Sequence, residues 1–263
     1  MQLDGKVCVV TGSGSGIGRA TAIEMAKRGG KVVVSDVNDA NGNATVEEIT
    51  KAGGAAVYRH ADMRSRDDIA ALMQTAVDTY GALHVLHSNA GVHESDFTNE
   101  MTVQSLSEEV WDTLMDINLK SVWLCAKAAF PLMRDSGGGS IINAGSTASV
   151  AAFPNCPAYA TAKHGIVGLT KAMAMDFRDA GIRANCYCPA SIETNMVSKF
   201  IDAAEDPDLI RSFMAASHLF PKRLGHPEEV AKLVCFLASE DASFVNGAAI
   251  LVDAGCMAWR GSE

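Results

Sequence analysis

The sequence has no run of lysines and arginines, no long apolar stretch and no C-x-x-C cysteine pair. Its formal net charge is -9, and phosphate binding depends on clustered cations, so we expect no nucleic-acid partner. Nowhere do roughly 18 apolar residues follow one another, so we expect no membrane-spanning helix. The opening stretch MQLDGKVCVV lacks the cationic and apolar regions of a signal peptide, and we expect a cytoplasmic protein.

The seven cysteines are scattered, and most stand in apolar surroundings, where a thiol acts as a small buried hydrophobe. Cys186 and Cys188 would share one face of a predicted strand. No histidine or further cysteine stands near them in the sequence to complete a set of metal ligands. We therefore predict that the protein holds no metal.

Linkers, low-complexity tracts and repeats of fixed period are also missing, and the short Pro, Gly and Ser clusters fall where turns are expected. At 263 residues, of which 48% are hydrophobic, the chain is long enough to bury one large core. We therefore predict a single domain over residues 1–263.

The sequence does contain a regular alternation. Runs rich in Val, Ile and Leu alternate with longer stretches of helical period, which is typical of repeated β-α units. Strands are predicted near residues 6–11, 31–36, 55–60, 83–88, 139–144, 182–188 and 249–253. Helices are predicted near residues 16–29, 40–52, 66–80, 108–135, 157–180 and 227–239. The pattern predicts an α/β, Rossmann-type fold, with a doubly wound, seven-stranded parallel sheet and helices on both faces.

Residues 190–226 interrupt this alternation. The segment is long, contains Pro207 and Pro221, and carries apolar side chains such as Phe200 and Phe213. Long segments without a place in the β-α rhythm often close over a ligand, so we predict a substrate lid within the domain. Packing of the same apolar side chains in the core is the alternative.

A glycine-rich turn joins the first predicted strand to an alanine-rich helix. Its pattern is G-x-x-x-G-x-G rather than the common G-x-G-x-x-G, because Ile17 stands where the third glycine would be. Backbone N–H groups and the positive end of the helix dipole stabilise a pyrophosphate at such a turn. The expected contacts are Gly12, Ser15, Gly16, Ile17 and Gly18.

Asp36 ends the second predicted strand, 18 residues after Gly18. A carboxylate at this position accepts hydrogen bonds from the adenosine ribose and repels a 2′-phosphate. Residues 13–15 and Val37 offer no cation to neutralise such a phosphate, so we predict NAD as the cofactor, with Asp36 and Val37 among its contacts. A solvated aspartate at the start of a loop is the alternative.

Two further strand ends carry candidate cofactor contacts. Asp62 and Met63 follow the third strand, where Asp62 could accept a hydrogen bond from the adenine amino group. Asn89, Ala90 and Gly91 follow the fourth strand and would line the nicotinamide side of a cleft. Because ligands collect at the carboxyl ends of neighbouring strands in open α/β sheets, we expect these corners to belong to one site.

Tyr159 and Lys163 stand four residues apart on a predicted helix, so their side chains share one face. A free phenol titrates near ~10, and a neighbouring ammonium lowers that pKa. Tyr159 could then take the proton of an alcohol during oxidation and return it during reduction. The spacing alone is weak evidence, because structural helices often contain it.

Together these motifs resemble those of the short-chain dehydrogenase/reductase family. The matching elements follow the family order from about Leu3 to about Gly255, and they are residues 11–18, Asn89-Ala90-Gly91, Asn118, Ser146 and Tyr159-x-x-x-Lys163. The resemblance implies that Ser146 and Tyr159 bind the substrate oxygen, and that Lys163 also binds the nicotinamide ribose. It further implies that Asn118 holds a water joined to Lys163. The contacts implied for the nicotinamide amide are Pro189, Ile192 and Thr194.

The sequence departs from the family pattern without losing a predicted catalytic group. The departures are Ser88 for Asn, Gly145 for Ser, Ala190 for Gly and Ala254 for Gly. Family members commonly form tetramers through two long helices, here predicted at residues 108–135 and 157–180, so the resemblance implies a homotetramer. His93 and His218 could face the cleft, but a surface position is expected for each.

These observations predict an NAD-dependent oxidoreductase that interconverts a secondary alcohol and its ketone, with a hydrophobic or cyclic small molecule as substrate. Two alternatives stay open: reduction of a 3-oxoacyl thioester, and a dinucleotide-binding regulator without turnover. Asp36 speaks against the first, because that chemistry more often goes with NADPH in the family. The complete set of Asn118, Ser146, Tyr159 and Lys163 speaks against the second.

Overall fold

Seven parallel strands form one sheet in a computed structural model of the chain, which describes residues 2–202 and 204–258. The strands are β1 (Val7–Thr11), β2 (Lys31–Asp36), β3 (Ala55–His60), β4 (Val85–Ser88), β5 (Gly139–Ala144), β6 (Ile182–Pro189) and β7 (Ala249–Val252). Their order in the sheet is β3-β2-β1-β4-β5-β6-β7, and each neighbouring pair is parallel. The predicted fold class is confirmed. Residues 1, 203 and 259–263 of the predicted domain lie outside the described residues.

Helices cover both faces of the sheet. They are α1 (Gly16–Lys27), α2 (Asp39–Lys51), α3 (Arg66–Tyr80), α4 (Glu108–Met115), α5 (Ser121–Asp135), α6 (Pro157–Asp176), α7 (Asn195–Asp202), α8 (Pro207–Ala216) and α9 (Pro227–Ala238). One core layer packs α3, α5 and α6 on the sheet, and the other packs α1, α2 and α9 on the opposite face. No helix among the described residues has both the length and the apolar character needed to cross a membrane.

Strand β1 is apolar at successive positions because both faces of the sheet are covered there. In β1 every residue is buried: Val7 and Val9 belong to one core layer, while Cys8 and Val10 belong to the other. Side chains of a strand alternate between faces, so a strand covered twice must be apolar at successive positions. The order of strands reverses between β1 and β4, and a cleft opens there at their carboxyl ends.

The helix predicted at residues 108–135 contains an irregular turn. Residues Asp116–Lys120 form one π-helical turn between α4 and α5, and Asn118 lies in it with its side chain fully buried. A π turn inserts one extra residue into the helix and is frequent at functional sites. The helix predicted at 157–180 is α6 followed by the short 3-10 helix Arg178–Ala180.

The segment at residues 190–226 contains α7 and α8, which the sequence analysis did not predict. Asp206 caps α8 by accepting from the N–H of Leu209 at 2.9 Å, and Pro207 occupies the first turn. The segment also exposes large apolar side chains, namely Phe200, Leu209, Phe213, Leu219 and Phe220. Its two ends meet at a β-bridge between Ile192 and Gly225, so it projects from a closed neck.

Candidate active site

A cleft of about 600 Å³ lies along the carboxyl ends of the strands. The sequence-predicted residues that line it are Gly12, Ser15, Gly16, Ile17, Asp36, Val37, Asp62, Met63, Asn89, Ala90, Gly91, Tyr159, Lys163, Pro189 and Thr194. Four predicted contacts are not among the described residues that line it, namely Gly18, Asn118, Ser146 and Ile192. The cleft therefore runs without interruption from Asp36 at one end to Tyr159 at the other.

The backbone of the glycine turn adopts a conformation that residues with a Cβ could not adopt without strain or clashes. Gly12 and Gly16 adopt φ angles of 61° and 51°, in the left-handed region that favours glycine. A Cβ on Gly18 would lie 2.2 Å from the carbonyl oxygen of Gly12, so Gly18 lets α1 pack on the turn instead of facing the cleft. Asn89 braces the turn, because its Nδ2 donates to the carbonyl oxygens of Thr11 and Gly12 at 3.1 and 3.0 Å.

Asp36 is held in place by backbone donors. Its Oδ2 accepts from the N–H of Gly14 at 2.8 Å, and its Oδ1 accepts from the N–H of Asn38 at 2.9 Å. A Cβ on Gly14 would lie 2.8 Å from Oδ2, so this glycine makes room for the carboxylate. Each carboxylate oxygen has a second lone pair for a further donor from the cleft.

Asp62 has a partner that the sequence analysis did not consider. Arg64 makes a bidentate ion pair with Asp62. Its Nη2 lies 2.7 Å from Oδ2, and its Nε lies 3.1 Å from both Oδ1 and Oδ2. Both residues line the cleft. The hydrogen bond from Arg64 lowers the pKa of Asp62. A hydrogen bond to adenine from this corner would therefore share a carboxylate that a guanidinium already occupies.

Tyr159 and Lys163 lie one turn apart on α6, as predicted. The Nζ of Lys163 is buried, donates to the carbonyl oxygen of Ala144 at 2.7 Å, and lies 5.5 Å from the centroid of the Tyr159 ring. Burial raises the pKa of Tyr159 to about 12, although a hydrogen bond with Ser146 lowers it in part. Burial also lowers the pKa of Lys163 to about 8. The expected lowering of the tyrosine pKa is thus wrong in direction, because the effect of lost hydration is larger than that of the Ser146 hydroxyl.

Ser146 and Asn118 flank this pair. Ser146 follows β5 and caps a short 3-10 helix, since its Oγ accepts from the N–H of Ala148 at 3.1 Å. Asn118 makes two hydrogen bonds with the backbone of Val92, at 2.9 and 2.8 Å. A Cβ on Gly91 would lie 2.9 Å from Asn118 Oδ1 and 3.7 Å from Lys163 Nζ, so this glycine lets both side chains reach the cleft wall.

Comparison with known proteins places the chain in a family. A profile of a family described as enoyl-(acyl carrier protein) reductase matches residues 12–257. Cyclohexanol dehydrogenase from Acinetobacter sp. (strain SE19) is 39% identical over 254 residues, which cover 96% of this chain and 95% of that protein. The chain belongs to the short-chain dehydrogenase/reductase family. It is thus an oxidoreductase of a family that uses nicotinamide dinucleotides.

Two further relatives of this short-chain dehydrogenase/reductase have names that describe different reactions. Cis-4-hydroxycyclohexanecarboxylate dehydrogenase from Sinomonas cyclohexanicum is 37% identical over 250 residues, covering 95% of this chain and 96% of that protein. The 3-oxoacyl-[acyl-carrier-protein] reductase of Thermotoga maritima is 34% identical over 255 residues, covering 97% and 99%. The named relatives thus include enzymes for alcohols and for a 3-oxoacyl thioester.

The structure explains one departure from the short-chain dehydrogenase/reductase pattern and shows backbone strain at another. A Cβ at Gly145 would lie 2.7 Å from the Sγ of Cys186 and 2.9 Å from that of Cys188, so the thiols fill the space of a serine side chain. These two sulfurs are 3.8 Å apart, on one face of β6 as predicted. Ala254 adopts a φ of 49°, a conformation that suits the glycine usual in the family.

The two histidines expected at the surface lie elsewhere. His218 is only 2% exposed, so its predicted surface position is wrong. His93 packs its ring 5.3 Å from the ring of Tyr159, centroid to centroid, and thus stands at the site. Ile192 is 5% exposed and packs in the core, and its contact with nicotinamide stays a prediction. Among the described residues, no group of three or more His, Cys, Asp and Glu side chains is placed to bind a metal.

Proposed function

We propose that this short-chain dehydrogenase/reductase is an NAD-dependent dehydrogenase that interconverts a hydrophobic or cyclic secondary alcohol and its ketone. The observation that carries the proposal is a single cleft with a fixed carboxylate, Asp36, at one end and Tyr159 with Lys163 at the other. The names of two relatives, a cyclohexanol dehydrogenase and a hydroxycyclohexanecarboxylate dehydrogenase, support a cyclic secondary alcohol.

The residues of the cleft fit a nicotinamide dinucleotide. The glycine turn places no side chain over the first residues of α1. A Cβ at Gly12 would lie 2.8 Å from the Cα of Ala90, which lines the cleft. In the proposal the turn binds the pyrophosphate, Asp36 accepts from the ribose hydroxyls, and Asn89 to Gly91 line the nicotinamide side. When bound, the nicotinamide supplies the acceptor or donor of the hydride. Among the described residues that line the cleft near Asp36, the cation is Arg64. Its charge is neutralised by the ion pair with Asp62.

The protein's part in the reaction is to orient the alcohol and move a proton. The Ser146 hydroxyl lies near enough to lower the pKa of Tyr159, and in the proposal an alcohol oxygen binds to both hydroxyls. Tyr159 is protonated at neutral pH and gives its proton directly to a ketone; in the oxidation direction it must accept one. Lys163, largely cationic below pH 8, favours the charged phenolate in that direction. Asn118 fixes the backbone at Val92, which also lines the cleft.

The segment at residues 190–226 is the proposed lid. Met196 and Lys199 on α7 line the cleft. The apolar side chains that α7 and α8 expose give the lid an apolar surface for a hydrophobic ring. The closed neck at Ile192 and Gly225 provides fixed ends about which the segment can move.

A homotetramer is part of the same proposal. The helices α4, α5 and α6 carry large apolar side chains on the surface, with Trp111 36%, Trp123 43% and Met175 65% exposed. Exposed aromatic and Met side chains are typical of the core of a protein interface. Light scattering at several protein concentrations gives the mass directly, and a monomeric mass would contradict this part of the proposal.

Replacing the phenol tests the proposed reaction. Tyr159→Phe removes one hydroxyl from a partly exposed ring, so we expect turnover of cyclohexanol with NAD to fall by about 10²- to 10⁴-fold, the range of general acid–base catalysis. The Kd for NAD should stay within about twofold, measured by calorimetry, because other residues bind the dinucleotide. Tyr80→Phe, at the end of α3, is the matched control and should keep wild-type turnover. A Tyr159→Phe enzyme with near-normal kcat would refute the assignment.

The 3-oxoacyl-[acyl-carrier-protein] reductase relative supports a second candidate function, the reduction of a 3-oxoacyl thioester. Both candidates are tested on one plate: cyclic alcohols with NAD or NADP, and a 3-oxoacyl thioester with NADH or NADPH. We expect the highest kcat/KM for a cyclic alcohol with NAD. A preference for the thioester with NADPH would favour the reductase, and dinucleotide binding without turnover of any substrate would favour a regulator.

A further inference from the structure

Glu94 is a fully buried carboxylate beside the proposed acid/base group. It begins the short 3-10 helix Glu94–Asp96, which follows β4 in the chain. Its Oε1 accepts from the backbone N–H of Tyr159 at 2.8 Å, across 65 residues of sequence. The sequence analysis assigned no role to this residue, and the mechanism above does not use it.

This contact completes the first turn of α6. The helix begins at Pro157, and its N-cap residue, Cys156, makes no side-chain hydrogen bond to the turn. The first N–H groups of a helix have no partner within the helix, and that of Tyr159 is one of them. Glu94 supplies the missing acceptor, and its negative charge lies at the positive end of the helix dipole.

The second carboxylate oxygen faces His93. Oε2 of Glu94 makes no hydrogen bond with the described residues, but Nε2 of His93 lies 3.6 Å from it. The N–H of Ser95 points to Nδ1 of the same ring at 3.2 Å, so Nδ1 accepts and Nε2 carries the proton toward Glu94. The His93 ring in turn packs 5.3 Å from the Tyr159 ring. One carboxylate thus contacts the tyrosine backbone and steadies a ring against the tyrosine side chain.

We propose that Glu94 is a positioning residue for Tyr159, which fixes both the first turn of α6 and the histidine that packs on the phenol ring. A buried carboxylate destabilises a protein unless donors compensate its charge, and the partners of Glu94 among the described residues are the Tyr159 N–H and the His93 ring that packs on Tyr159. This inference rests on the proposed function, because it assumes that the Tyr159 hydroxyl transfers the proton.

Three substitutions at one position separate the contacts. Glu94→Gln keeps an oxygen that accepts from the Tyr159 N–H, so kcat should stay within about threefold of wild type. Glu94→Ala removes the acceptor, and Glu94→Asp withdraws it by one methylene while keeping the charge. For both we expect kcat to fall by about ten- to a hundredfold, the scale that follows from a displacement of about 1 Å at a reacting group. Glu100→Gln, an exposed carboxylate of the same loop, is the control and should leave kcat unchanged.

The kcat is measured per folded molecule, together with KM for NAD and the melting temperature of each variant. A purely structural role would lower the melting temperature and leave kcat of the folded enzyme intact, whereas a positioning role lowers kcat with KM for NAD within about twofold. If Glu94→Ala does not fold, Glu94→Asp decides. The proposal is overturned if the folded Glu94→Asp enzyme keeps kcat within twofold of wild type. Near-normal turnover of Tyr159→Phe would instead overturn the proposed function, and the two failures are therefore distinct.

Discussion

The choice between NAD and NADP can be tested at one atom. Asp36 is fixed by two backbone donors at 2.8 and 2.9 Å, so its carboxylate cannot swing away from a ligand without breaking both hydrogen bonds. Asp36→Asn removes the charge and keeps nearly the same shape, and its amide oxygen can still accept from one of the two donors. The variant therefore removes the charge at this end of the cleft together with one of the two backbone hydrogen bonds.

The size of the effect follows from Coulomb's law. Two like unit charges about 4 Å apart repel by about 1 kcal/mol in water and about 4 kcal/mol at the effective dielectric of a protein surface. A 2′-phosphate brings between one and two negative charges at neutral pH. The cleft is open to solvent, so the lower part of that range applies, and about 1.4 kcal/mol is a factor of ten. We expect the ratio of kcat/KM for NAD to that for NADP to fall by at least about tenfold in Asp36→Asn.

The assay is initial-rate formation of NADH or NADPH with one alcohol at low ionic strength, repeated at high salt. The control is Asp39→Asn. It removes an equal charge three residues after Asp36, and the Asp39 side chain is 67% exposed. Its cofactor ratio should change by less than about twofold. Added salt should shrink the discrimination of the wild-type enzyme, because exposed charges are screened. An Asp36→Asn enzyme with the wild-type cofactor ratio would refute the electrostatic argument for the proposed NAD preference.

Two further predictions concern stability. Ala254→Gly should raise the free energy of unfolding by about 0.5 to 1 kcal/mol in urea, because relief of the left-handed backbone at φ 49° exceeds the entropy that glycine adds to the unfolded chain; no gain would contradict the strain. Burial lowers the pKa of His87 to about 3, so between pH 6.5 and 3 the unfolded chain binds a proton that the folded chain does not. As the pH falls through that window this histidine costs about 1.4 kcal/mol per pH unit, and the acid loss of stability should be shallower in His87→Asn; parallel curves would show that another group dominates.

The sequence was sufficient to predict the sheet because strands covered on both faces are apolar at successive positions. The strand predicted at residues 6–11 is β1 at Val7–Thr11, and the other six fall within about two residues of their predictions. The π turn around Asn118 escaped detection, since one inserted residue barely alters the helical period of a 28-residue stretch. Helices α7 and α8 were missed because each is short and prolines flank or begin them, although Asp206 before Pro207 is a usable start signal.

The predicted cleft residues were accessible from sequence where local motifs carry them, such as the glycine turn and the carboxylate at the end of β2. Long-range pairings have no such signal. The contact of Glu94 with the Tyr159 backbone joins a 3-10 helix to α6 across 65 residues, and the spacing of neither residue predicts it. The ion pair of Asp62 with Arg64 could have been predicted, because the sequence shows a cation two residues after a carboxylate at a strand end.

The direction of the tyrosine pKa shift was also beyond the sequence, and it bears on how the site can operate. Proximity of an ammonium to a phenol can be inferred from their spacing, whereas the loss of hydration that both suffer depends on everything packed around them. Burial favours the neutral form of each group: it raises the pKa of Tyr159 to about 12 and lowers that of Lys163 to about 8. In the proposed reaction Tyr159 can therefore give a proton to a ketone at neutral pH. To oxidise an alcohol it must first place a negative charge on a phenol, and in this cleft the buried cation of Lys163 is the group best placed to stabilise that charge, because Coulomb interactions strengthen as water is excluded.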